Sequence, residues 1–81
     1  MSDEEVLLQS PLLYRVLRGR GGALSIEVLV GGIVQFEVRV LLNEEETAAF
    51  EREGRTFADR MAQAIMADPP FGGRSVRSPV R

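Results

Sequence analysis

The stretch ALSIEVLVGGIVQFEVRVLL, residues 23–42, decides the fold. In its first half Leu24, Ile26, Val28 and Val30 share one parity, and Ser25, Glu27 and Leu29 share the other. In its second half Val34, Phe36, Val38, Val40 and Leu42 alternate with Ile33, Gln35, Glu37, Arg39 and Leu41. Successive side chains on a strand point to opposite faces, so a period of two predicts two half-buried strands. The Gly31-Gly32 pair between them predicts a hairpin, because glycine reaches the positive φ that tight hairpin turns need. One face should therefore hold Leu24, Ile26, Val28, Val34, Phe36, Val38 and Val40 as a core.

Upstream, LLYRVLR at residues 12–18 predicts a first strand, and GRGG at 19–22 predicts the turn that follows it. Which face of that strand is buried is open, since it alternates poorly. Downstream, Asn43 and Glu46 have capping-box spacing, and Glu44, Glu45 and Glu46 suit the positive end of a helix dipole. The pattern predicts a helix to Glu53, with Gly54 as an αL C-cap. A second helix is expected from about Phe57 to Ala67, capped by Thr56 with Asp59 in the capping-box place and stopped by Asp68-Pro69-Pro70. The order is β-β-β-α-α. It predicts an α+β fold in which a three-stranded antiparallel meander carries two short helices on one face. Residues 1–11 read as an N-terminal arm, 12–70 as a single α+β domain, and 71–81 as an Arg-containing flexible tail.

The chain has 81 residues with 10 basic and 12 acidic side chains, no His and no Cys. Disulfides are excluded, and carboxylates alone make poor zinc sites. Association with another chain is the remaining common supplement for so small a core. All the basic residues are Arg, a bias that GC-rich codon usage explains as simply as function does. The net charge of −2 speaks against nucleic acid, although Arg74, Arg77 and Arg81 in the tail keep a nucleic-acid accessory role open as an alternative. No apolar run approaches the ~18 residues of a membrane span, and the acidic start MSDEEV is unlike a secretory signal, so a cytoplasmic protein is expected.

Without His, Cys or Lys, the Ser-His, Cys-His and Lys Schiff-base arrangements vanish. A paired-carboxylate reading survives if Glu27 lies opposite Glu37 or Gln35 across the hairpin; pairing with Arg39 and Arg15 is the plainer alternative. Glu44, Glu45 and Glu46 are consecutive on a helix and cannot converge on one metal ion. GRGG and Gly31-Gly32 lack the Lys-Ser/Thr of a phosphate loop. The expectation is therefore no enzyme, no cofactor and no metal, but a domain that binds another protein or a second copy of itself. The candidate partner-binding residues are Gln35, Glu37, Arg39 and Leu41 on the second sheet face, with the acidic turn Glu44, Glu45 and Glu46.

The run VRVLLNEEETAAF (38–50), EGRTFADRMAQAI (53–65) and DPPFGGRSV (68–76), behind two glycine-linked strands, resembles small bacterial immunity proteins that neutralise polymorphic or contact-delivered toxins. The resemblance spans about residues 14–77 and rests on general helix and turn features. It implies a cytosolic inhibitor that occludes a cognate toxin domain. It carries over no catalytic residue. The alternative function is a homo-oligomeric structural or regulatory module of a larger assembly.

Overall fold

The computed structural model describes residues 4–10, 14–31 and 35–77. It is an α+β fold with an antiparallel sheet and two helices, but the sheet has five strands and not three. In chain order they are β1 (Glu5–Ser10), β2 (Tyr14–Arg18), β3 (Leu24–Gly31), β4 (Gln35–Leu41) and β5 (Val76–Arg77), and they lie side by side in that order. The two added strands come from the segments read as arm and tail. The arm was too short to show alternation, and β1 contains a bulge between Val6 and Leu8 that breaks the period. β5 is two residues long, below what a sequence pattern can signal. Leu12, Leu13, Val34 and Arg81 lie outside the described residues.

The β3–β4 register pairs Ser25 with Leu41, Glu27 with Arg39, Val28 with Val38 and Gly31 with Gln35. The expected parity therefore holds on both strands. Leu24, Ile26, Val28 and Val30 are buried with Val38, Val40 and Leu42, and β2 adds Tyr14 and Val16 to the same core. Phe36 packs at its margin, partly buried. The turn after β2 closes through a hydrogen bond from the Gly22 N–H to the Gly19 carbonyl at 3.0 Å, with Gly22 at φ 89°.

Helix α1 (Glu44–Glu53) begins as the capping box requires. The Glu46 N–H donates to Asn43 Oδ1 at 2.8 Å, and the Asn43 N–H donates to Glu46 Oε1 at 2.9 Å. α1 buries no residue completely. Helix α2 (Arg55–Ala67) covers the sheet with Ala58, Met61, Ala62 and Ile65, a stripe at i, i+3, i+4 and i+7. Ala64 lies off that stripe and is exposed. α2 also starts earlier than expected, and Thr56 does not cap it. Gly54 stands at both the end of α1 and the start of α2. Its φ of 60° is positive as expected of a C-cap, but its ψ of −126° is not αL. This conformation turns the chain in a single residue. The Gly54 N–H donates to the Phe50 carbonyl at 2.7 Å, and the Gly54 carbonyl accepts from the Ala58 N–H at 3.1 Å. Asp59, freed from a capping role, instead accepts a short hydrogen bond from the Tyr14 hydroxyl and ties α2 to β2.

These observations separate backbone strain from space. A Cβ at Gly54 would touch nothing within 4 Å, and neither would one at Gly21, yet only Gly54 has positive φ. Gly54→Ala is expected to cost about 1–3 kcal/mol, whereas Gly21→Ala should be close to neutral. Urea unfolding measures both; equal midpoints for the two variants would remove the one-residue turn as a constraint.

Candidate functional site

The face of the sheet turned away from α2 is built from the other parity. One row crosses all five strands: Gln9, Arg15, Glu27, Arg39 and Val76. A second row holds Val6, Leu17, Ser25 and Leu41. The register decides what this face can do. Glu27 stands opposite Arg15 on β2 and Arg39 on β4, and Glu37 stands opposite Leu29. The paired-carboxylate arrangement is therefore overturned: Glu27 meets two guanidinium groups and not a second acid.

Glu27 is only 3% exposed. Arg15 Nε donates to its Oε1 at 2.7 Å, while Arg39 donates to its Oε2 from Nε at 3.0 Å and from Nη2 at 2.6 Å. The far side of the Arg39 fork holds Glu4, through Nη1–Oε2 at 2.6 Å and Nη2–Oε1 at 3.1 Å. Glu4 thus reaches from the end of β1 over β2 and β3 to β4. Burial pushes the Glu27 carboxyl upward, but the hydrogen bonds from Arg39 and then Arg15 outweigh it and hold it below its ordinary value. The hydrogen bonds that Arg39 donates to Glu4 raise Arg39 further above its already high value. Leu17 and Ser25 are also buried on this face, so the centre of the sheet is covered on both sides.

The seven residues singled out from sequence fall into three environments. Gln35, Glu37, Arg39 and Leu41 lie along β4 on this one face. Gln35 is exposed at the hairpin end and Glu37 is half-buried. Arg39 sits in the ion-paired row, and Leu41 is 61% exposed. Glu44 and Glu45 are exposed in the first turn of α1. Glu46 differs from them, because Arg74 grips it with Nη1–Oε2 at 2.9 Å and Nη2–Oε1 at 2.6 Å while also donating to the Leu41 carbonyl at 2.9 Å. Arg74 chiefly, with the Asn43 N–H and against partial burial, holds the Glu46 carboxyl below its ordinary value.

Sequence reasoning left Glu4, Ser25, Arg74 and Val76 out of this site. They join it from the arm, the opposite strand and the tail, and no spacing signal links such segments. With Arg39 and Leu41 they line an open pocket of about 260 Å³ at the β2–β3 turn end of the face, closed by Gly19 and Ala23. The tail cations have local uses. Arg74 serves Glu46, and the Arg77 guanidinium lies 4.2 Å from the Phe36 ring centroid. On the helical side, burial first and the Asp59 hydrogen bond second push the Tyr14 phenol up to about 12. That shift keeps Tyr14 protonated, as the donor to Asp59.

Among the described residues, no group of three or more His, Cys, Asp or Glu side chains could hold a metal ion. Among them, too, no helix is long and apolar enough to cross a membrane. No family model, curated protein or solved structure matches the chain.

The depressed carboxyls fix the sign of the acid response. A folded-state value below the unfolded one of about 4.3 gives stability that is fully present above about pH 5 and is lost as pH falls through the folded value. Glu27→Gln should lower the urea midpoint at pH 7, because it leaves two guanidinium groups without their shared anion. It should also flatten the fall between about pH 5 and 3. Parallel pH profiles for the variant and the parent would show that another group controls the acid limb.

Proposed function

We propose that this chain is a non-enzymatic protein-binding domain of the inhibitor or immunity kind, acting in the cytoplasm and occluding one protein partner with the second face of its sheet. One observation carries the reading. The described large hydrophobic side chains that remain exposed are Val6 at 47%, Leu41 at 61% and Val76 at 61%, and all three lie on that face. They surround an ion-paired centre whose charges already have partners. Apolar anchors around a polar, satisfied middle give a contact surface of ordinary interface composition. The exposed Glu44 and Glu45 follow Leu41 closely in the chain and add an acidic rim that would steer a basic partner surface during encounter.

Self-association through the same face is a second reading, and charge balance favours it. Arg15 and Arg39 are offset by Glu4 and Glu27, so two copies meet without net repulsion from this row. A nucleic-acid role has less support, because Arg74 and Arg77 are engaged with Glu46 and Phe36.

The test is capture of the partner from native lysate, followed by kinetics on the purified pair and light scattering on the domain alone. Leu41→Asp is expected to speed dissociation by at least about tenfold, the effect of losing one well-packed anchor of ~1.4 kcal/mol. Glu44→Arg with Glu45→Arg should slow association and weaken its salt dependence, with little change in dissociation. A partner held equally well by all three proteins would remove this face from the model. A concentration-dependent dimer that Leu41→Asp dissolves would replace the inhibitor reading with self-assembly.

A further inference from the structure

Residues 66–77 follow the last buried residue of α2, Ile65, and none of them is fully buried. The chain reverses there through Phe71, Gly72 and Gly73, at φ 49°, 66° and 84°. The turn is closed by its own hydrogen bonds, from the Gly73 N–H to the Pro70 carbonyl at 2.9 Å and from the Ser75 hydroxyl to the Pro69 carbonyl at 2.6 Å. Beyond it, β5 offers the sheet two ladder positions, Val76 opposite Arg39 and Arg77 opposite Val38, and both its residues are exposed. A segment with so little buried apolar surface and so short a ladder opens locally at low cost. Its position is therefore decided by side chains. Arg74 forks onto both Glu46 oxygens and donates to the Leu41 carbonyl, with its guanidinium 5.3 Å from the Phe71 ring centroid. Arg77 lies over the Phe36 ring. The same segment supplies the docking face: Val76 lines the pocket with Leu41, whose carbonyl Arg74 holds.

We propose that residues 74–77 form a strap that closes on the β4 edge as one unit, with Arg74 on Glu46 as its latch, and that closure completes the docking face by bringing Val76 to the pocket wall it shares with Leu41. The latch stands apart from the protein-binding reading; the role in docking rests on that reading and names how the face is regulated. Glu46 suits the task because its carboxylate also accepts from the Asn43 N–H, which fixes it at the start of a capped helix. Arg74 is a positioning residue, acting through where it holds Val76 and Leu41. Only molecules with the strap closed present the full apolar set, so apparent affinity follows the closed fraction.

The experiment follows the full chain by NMR through the Arg77 Nε–Hε signal, which the Phe36 ring displaces, and through the Leu41, Val76 and core methyls. In Arg74→Gln the Arg77 signal should lose most of that displacement and the Leu41 and Val76 methyls should move, while those of Ile26, Val28 and Val40 stay in place. Glu46→Gln should act in the same direction but less, since its amide keeps the capping box and one acceptor. The double variant should go no further than Arg74→Gln alone, and Glu44→Gln with Glu45→Gln should move none of these signals. An Arg77 signal unmoved by Arg74→Gln, or core methyls that move with it, would overturn the strap as a local unit. Hydrogen exchange of the parent gives a comparison without variants. Its Val76 and Arg77 amides should exchange at least about a hundredfold faster than those of Ile26 and Val28, and equal protection would overturn the proposal. With a captured partner that is sensitive to Leu41→Asp, Arg74→Gln should weaken affinity about fivefold, as for a face complete in about a fifth of the molecules. Unchanged affinity would overturn the docking role. A strap that opens as expected in a domain without any cellular partner would sink the protein-binding reading alone.

Discussion

A carboxylate buried in the middle of a small sheet is costly unless its charge is answered nearby, and the arrangement of this domain follows from how Glu27 is answered. Desolvating one ion costs several kcal/mol. Arg15 and Arg39 offset that cost only because β2, β3 and β4 are in the register that sets the three side chains in one row. A shift of one residue of β2 or β4 against β3 would turn Arg15 or Arg39 toward the core and the aliphatic side chains of that strand outside. The ion row therefore penalises wrong registers, while the aliphatic face supplies the burial that drives folding. Arg39 extends the row to Glu4, the residue just ahead of β1.

The two sides of the sheet differ in what covers them. On one side α2 covers the aliphatic parity with Ala58, Met61, Ala62 and Ile65, and Tyr14 fastens the helix through Asp59. On the other side Leu17, Ser25 and Glu27 are also buried, with Arg15 and Arg39 ion-paired to Glu27. Arginine suits this task because its aliphatic stem covers a surface while its planar head satisfies two acids at once. What remains exposed there is a short apolar set around a charge-balanced centre.

The edges of the sheet show similar economy. β1 carries a bulge and the acidic residue Glu5, both of which discourage uncontrolled pairing along a free edge. β5 is short, and Arg74 holds the tail just before it through Glu46 and the Leu41 carbonyl. Glu46 thereby serves both the α1 capping box and the anchoring of the tail, which separates it from Glu44 and Glu45 in the same acidic run.

The amino-acid sequence by itself determined the central hairpin, its two parities, the capping box at Asn43 and the two helices, because each depends on neighbours a few residues apart and on the fixed periods of strand and helix. It also placed Gln35, Glu37, Arg39 and Leu41 on one face, since β4 alternates cleanly. The tertiary structure alone decided that Glu27 faces Arg15 and Arg39, that Asp59 answers Tyr14 instead of capping α2, and that the arm and tail complete the sheet. These outcomes depend on strand register and on contacts between segments far apart in the chain. A loop one residue longer or shorter reverses the register, and the local pattern of β1 and β5 is too brief to record it. Glu4 and Arg74 enter the site for the same reason: nothing near them in sequence specifies the partner they meet, and only the folded sheet brings both to Arg39, Leu41 and the pocket between them.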